Sequence, residues 1–268
     1  MLVMAALSSA VIVFGYAITS SMSALQEKAG QWGYDTSDVV ATVFNPSGFN
    51  RDEFERALQS DSRILSIGRA HSLTGIVEGD SDSESAGIAI MTFEGSLDEF
   101  GYATLSGRNP QYKNEIAIGV NVARTFNNDV GDTVVVYIQG QRNRYLVTGI
   151  YQAIANMSNS ARLTGETPFS ASNALPLTSE GLLDYMIRLK DNAQATAVAN
   201  ELNAEFQDTA TVVPQQALID SVYNEAALIL LIPMSLIGLL FLFFAFIIIY
   251  SSYRIHIRND SKIYGIFK

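Results

Sequence analysis

The sequence predicts a membrane protein in which two transmembrane α-helices flank an α+β extracytoplasmic domain. That domain is expected to hold two β-α-β units in a split sandwich, together with a β-rich insert. Three observations predict this. Both flanks are uncharged: no charged residue occurs in 1–26 or in 226–250. A run of about 20 apolar residues matches the thickness of a bilayer core. Between them lie about 200 polar residues, enough for one domain with its own core, and strand–helix–strand patterning appears at both ends of that stretch.

The expected organisation is a first span at 1–26, a domain at 27–214, a stalk helix at 215–225, a second span at 226–250 and a basic tail at 251–268. No basic residue precedes the first run. A secretory signal carries a basic lead-in, so a span is expected here in preference to a cleaved signal. Ala6, Ser9 and Ala10 put small residues at helix-packing spacing on this span, a face suited to close helix neighbours. Trp32 follows a few residues later, where an interfacial anchor is expected.

Charge sets the orientation. The tail carries Arg254, Arg258, Lys262 and Lys268 against Asp260, whereas residues 27–225 hold 13 basic and 26 acidic residues. Lys and Arg near a span stay on the cytoplasmic side. Both termini are therefore expected inside and the acidic domain outside. An acidic domain excludes nucleic acid as a partner, since that recognition needs clustered positive charge.

Within the domain, "DVVATVF" is β-branched and reads as a strand. "RDEFERALQS" follows with helical spacing behind an Asn50 cap, and "RILSIGRA" alternates as a second strand. The far end repeats the plan. "DYMIRLKD" reads as a strand, and "NAQATAVANELNAEFQ" as a helix with Ala195, Val198, Ala199, Leu202 and Phe206 on one side. "TATVVPQ" closes as a strand. Packing the two units together brings the chain ends together.

The insert between them reads as hairpins. "SLTGIVEG" and "SAGIAIMTF" flank a polar tip, and "DTVVVYIQGQRNRYLVTGIYQAI" is expected to turn at "GQRN". "ANMSNSARLTGETPFSASN" has no periodicity and reads as a mobile loop. "PQQALIDSVYNEAALILL" continues as one helix from Gln215 into the second span, where Pro233 is placed to kink it.

Candidate chemistry is sparse. No phosphate-binding glycine loop of either common type occurs. His71 and His256 lack partners for a catalytic triad or zinc site and read as surface or interfacial residues. "DSDSE" (Asp80, Asp82, Glu84) alternates carboxylates but lacks the glycine and distal glutamate of a calcium loop, so a solvated hairpin tip is expected. No enzyme activity, metal or cofactor is expected.

The most distinctive stretch is "GRNPQYKNEIAIGVNVARTFNNDVGDTVVV". With its order between two spans, it resembles the extracytoplasmic domain of the MacB/FtsX-like ABC transporter permeases of bacteria. The matching positions are Gly107, Arg108, Pro110, Glu115, Ile116, Ala123, Val130, Gly131, Asp132 and Thr133. The tail is similar to the same family in its basic segment and aromatic-Gly-aliphatic pattern, here Lys262, Tyr264, Gly265, Ile266, Phe267 and Lys268.

The resemblance implies a permease subunit in the bacterial inner or plasma membrane. A separate cytoplasmic ABC ATPase would dock on a coupling segment comprising Arg258, Lys262, Ile263, Tyr264, Gly265, Ile266, Phe267 and Lys268. ATP hydrolysis there would move the outside domain for export, lipoprotein handling or control of a cell-wall hydrolase. A second permease copy or half, the lipid bilayer and an extracytoplasmic cargo or partner protein complete the implied partners. The family has at least two further spans after such a tail, so a truncated, fragmentary or split permease is expected. The competing reading is a bitopic sensor, whose tail should open a coiled coil. "RIHIRNDSKIYGIFK" shows no such seam.

Overall fold

The computed structural model describes residues 29–79, 85–165 and 183–221, with Val13, Ala17 and most of 232–254 described singly. Two units emerge: one is Lys28–Ile219, and the other comprises Met1–Glu27 and Asp220–Lys268. In the second unit the described positions between 232 and 254 are helical. Among the described residues no helix is long and apolar enough to cross a membrane.

In Lys28–Ile219, β1 (Val39–Val43), α1 (Arg51–Ser60) and β2 (Ile64–Val77) form the first β-α-β unit. Asn50 caps α1: its side chain accepts from Glu53 N and donates back to the Glu53 carboxylate. Such a cap contributes about 1 kcal/mol. At the other end β9 (Leu183–Leu189), α3 (Ala195–Phe206) and β10 (Ala210–Pro214) form the second unit.

The two units interleave. Strand order runs β10-β1-β9-β2, so each unit's strands straddle a strand of the other, and every pairing is antiparallel. Both helices cover one face. The core there is Phe54 and Leu58 from α1, Val198, Ala199, Leu202 and Phe206 from α3, and the inward residues of the strands. Phe54 lies at its centre, with ring centroids 4.8 Å from Tyr185 and 4.9 Å from Phe206. The opposite face is covered near β9 by Phe93, Leu97, Phe100 and Tyr102, packed on Ala70 and Met186.

The insert closes on itself. It adds β3 (Ala86–Glu94), β4 (Ser106–Gly107), β5 (Glu115–Gly119), α2 (Val120–Phe126), β6 (Thr133–Ile138), β7 (Gln141–Tyr151) and β8 (Ser160–Thr164). The order β2-β3-β8-β5-β7 continues the sheet, and β6 pairs with both β7 and β2. The ring β2-β3-β8-β5-β7-β6 is therefore a six-stranded barrel, and closure removes exposed sheet edges. Ile88, Ile90, Ile116, Ile118, Val136, Ile138, Val147 and Leu163 fill it.

Four local expectations change. "RILSIGRA" and "SLTGIVEG" are one 14-residue strand, β2, whose first half pairs with β9 and whose second half pairs with β3 and β6. The β6–β7 turn sits at Gln139-Gly140, before most of "GQRN": Ile138 faces Gln141, and both turn residues have positive φ (52° and 78°), as a tight two-residue hairpin turn requires. The segment read as a mobile loop contains β8, a buried strand inside the barrel wall; its residues 166–173 lie outside the described set. His71 is buried within β2 rather than at the surface. The expected calcium-like tip, residues 80–84, also lies outside the described residues.

Candidate functional site

The sites named from sequence fall outside the described residues. Ala6, Ser9 and Ala10, and the coupling residues Arg258, Lys262, Ile263, Tyr264, Gly265, Ile266, Phe267 and Lys268, are among them. Within Lys28–Ile219 three polar constructions stand out.

The first lies where the chain enters and leaves the unit. Val39, the first residue of β1, faces Pro214, the last of β10. Just outside that pair, Gln215 Nε2 donates to Asp35 Oδ2 at 2.8 Å across 180 residues. Asp35 Oδ1 accepts from the Ser37 amide and hydroxyl. Gln215 N donates to Asp38 O at 2.9 Å, and Asp38 Oδ2 accepts from Leu189 N at 2.7 Å. Burial pushes the Asp35 carboxyl up, against the downward pull of Ser37 and Gln215. Asp184, bonded by the Thr42 hydroxyl at 2.6 Å, is also pushed up, by burial first. Positions 215–221 are helical, so a helix starts directly from this clamp. Nothing in the local sequence marks Asp35 or Gln215, because the tie exists only once β1 and β10 are paired.

The second is the loop before β5. Arg108 holds Glu115 through two hydrogen bonds of 2.5 and 2.8 Å, and Glu115 also accepts from the amides of Gln111 and Tyr112. The Arg108 guanidinium, helped by those amides, brings the Glu115 carboxyl down to about 2. Asn109 Nδ2 donates to Tyr102 O and Asp98. Gly107 is required here: its φ is +70°, and a Cβ would stand 2.1 Å from Thr148 O. Nearby, Asp132 Oδ2 accepts from Asp129 N, and Val147 N donates to Asp132 O. These residues brace the barrel rim.

The third is an ion network across α1, β2, β3 and β9. Glu55 binds Arg51, Arg69 and the Tyr185 hydroxyl, while Glu94 binds Arg69 at 2.7 Å. His71 Nε2 lies 4.0 Å from Glu94 Oε1, and among the described residues neither atom has a hydrogen-bond partner. The barrel wall holds a buried guanidinium. Arg162 on β8 stacks 3.8 Å over Tyr151 and 4.7 Å over Tyr102, and donates to Ala103 O. Stacking on two aromatic faces compensates a buried guanidinium.

The MacB-like periplasmic core domain matches residues 3–205. The chain belongs to this family. No curated protein matches it. Among solved structures, the periplasmic region of MacB from Actinobacillus actinomycetemcomitans is similar, at 11% identity over 70% of this chain and 93% of that one, with a TM-score of 0.44. The extracellular domain of the noncanonic ABC-type transporter YknZ from Gram-positive bacteria matches at 13% identity over 66% and 100%, TM-score 0.42. A domain of a putative permease protein from Porphyromonas gingivalis matches at 15% identity over 66% and 89%, TM-score 0.38. In this MacB-like domain, the motif residues Gly107, Arg108, Glu115, Gly131 and Asp132 all sit at the barrel rim, and the split β-α-β half carries the points where the chain enters and leaves the unit Lys28–Ile219.

Proposed function

We propose that the chain is a permease subunit, or part of one, of an ABC transporter of the MacB/FtsX type. Its extracytoplasmic domain is carried on two spans, with both termini cytoplasmic. A separate ATPase docks on residues 258–268, and its nucleotide cycle moves the domain to serve export, lipoprotein handling or control of a cell-wall hydrolase. Family membership supports the class. The observation that carries the coupling is the Asp35–Gln215 clamp beside the β1–β10 pair. A displacement delivered by either flank is then received at one place on one sheet. The buried interleaved core beneath it favours movement as a rigid body, in the way domain rotations transmit switching.

The test uses the full-length protein in its native membrane. Replacing Tyr264 and Phe267 with Ala, while keeping every basic residue, should abolish co-purification of an ABC ATPase and leave membrane insertion intact, since aromatic anchors of an interface commonly contribute about 2 kcal/mol or more each. Normal recovery of the ATPase with the double variant removes the docking role. Failure of the unaltered protein to bring down any ATPase favours the sensor reading.

A further inference from the structure

The loop between β7 and β8 has an unusual backbone. Asn156, Met157 and Ser158 all take positive φ, at 51°, 50° and 59°. Three consecutive side-chain-bearing residues in this region are rare, because Cβ crowds the backbone there. The fold holds them firmly. Ser158, buried, takes the Ala153 amide and donates to the Ala153 carbonyl through its hydroxyl. Asn121 on α2 donates to Met157 O, and Gly119 admits the loop so closely that a Cβ would meet Ser158 O at 2.0 Å.

The result is an outward display. Met157 is 78% exposed and Ile154 is 40% exposed, while Ser158 beneath them is buried. Strain maintained to expose two large apolar side chains is a reason to look for what they touch. Their neighbour is Trp32, the only tryptophan in the chain. Ile154 N donates to Trp32 O at 3.1 Å, and Ala153 packs against Gly33. Trp32 itself is half-buried.

We propose that Trp32, Ile154 and Met157 form a lip that contacts the outer surface of the lipid bilayer and seats the domain on it. This rests on the membrane-anchored reading above. Chain length supports the occupant: Trp32 lies six positions after Gln26, where the uncharged run ends, a tether of at most about 20 Å. Charge supports it as well. No charged residue lies between Lys28 and Asp35, or between Arg144 and Arg162, in a chain otherwise strongly acidic. An uncharged pair of segments can enter the headgroup region without desolvating an ion. Tryptophan with aliphatic companions is the composition that settles there. The lip adjoins the residues leading into the Asp35–Gln215 clamp, so seating it would bear on the place where motion enters the domain.

Trp32, being single, is its own probe. The full chain is reconstituted in phosphatidylcholine vesicles with and without lipid brominated near the headgroup end of its acyl chains. Trp32 fluorescence should be quenched by the brominated lipid, and the quenching should be lost in the Ile154→Asp/Met157→Asp variant, whose exposed positions leave the core untouched. Vesicle flotation separates the two ideas. A chain that does not float overturns the membrane reading and the lip with it. A chain that floats with Trp32 unquenched, or with quenching equal in the variant, overturns the lip alone. Efficient cross-linking between two copies bearing Met157→Cys, with Trp32 unquenched, assigns the lip to a second copy instead.

Discussion

His71 offers a direct test of the ion network. It is 5% exposed, and the groups around it are Arg51 and Glu55 from α1, Arg69 from its own strand, Glu94 from β3 and Tyr185 from β9. Burial first, then the positive charge of Arg51 and Arg69, brings His71 from 6.5 down to about 4. The unfolded chain therefore takes up a proton near pH 6.5 that the folded protein refuses until about pH 4. Stability must fall as pH falls through this window. At about 1.4 kcal/mol per pH unit, the loss attributable to His71 reaches about 3 kcal/mol. Other groups act at the same time. Asp35 and Asp184, raised by burial, gain on acidification, whereas Glu55 and Glu115, lowered by their arginines, lose below their ordinary range. A comparison with His71→Gln cancels those shared contributions. The assay is urea denaturation of the compact unit Lys28–Ile219 at intervals from pH 7 to 4. The gap between wild type and variant should shift by about 3 kcal/mol in favour of the variant across the window. Parallel curves would mean that His71 protonates in the folded state, and would refute the argument.

Two further outcomes follow from the barrel rim. Glu115→Ala leaves the amides of Gln111 and Tyr112 without their acceptor and removes the partner of the partly exposed Arg108, and should cost about 1–3 kcal/mol in unfolding free energy measured by denaturant titration. With Glu115 held near 2, the contribution it makes is present above about pH 4.5 and lost as pH falls towards 2, so the variant should be less acid-sensitive. Gly107→Ala meets both a positive φ and Thr148 O at 2.1 Å, whereas Gly140→Ala meets a positive φ with nothing among the described residues within 4 Å. Gly140→Ala should cost about 1 kcal/mol, and Gly107→Ala should cost far more or prevent folding, as thermal melts would show.

Periodicity made part of this fold legible. α1 with its Asn50 cap, α3 with its apolar side, and the strands β1, β9 and β10 all carry their contacts within a few residues or on one face. What stayed hidden is non-local. β8 reads "SARLT", which has no alternation because both faces are buried, and Arg162 looks like a solvated residue until Tyr151 and Tyr102 are folded over it. "RILSIGRA" and "SLTGIVEG" read as two strands, yet β2 runs through His71 and Ser72 because β9 pairs with it up to His71 while β3 pairs with it from Arg69 onward. His71 appeared superficial for the same reason. The clamp joins residues 180 positions apart, so no window of sequence could display it.

A division of labour follows from where the polar groups are spent. The stretch that makes the family recognisable, Gly107 to Thr133, uses Arg108 on Glu115, Glu115 on two amides, Asn109 on Tyr102 and Asp98, and Asp132 on Asp129. Those bonds are all made within the domain, and they hold the loop before β5 and the turn before β6 in shape. A motif of this kind identifies a fold, because changing it costs stability. It does not by itself report what the domain does. The clamp and the lip carry no recognisable motif, yet they stand where the chain enters and leaves the domain. Recognition from sequence therefore rests on the rim of the barrel, while the coupling proposed for this protein rests on the opposite kind of residue, polar or apolar groups whose meaning appears only when distant segments meet. Variants at Glu115 should accordingly lower stability and function together, whereas the Ile154→Asp/Met157→Asp variant should leave the melting transition unchanged.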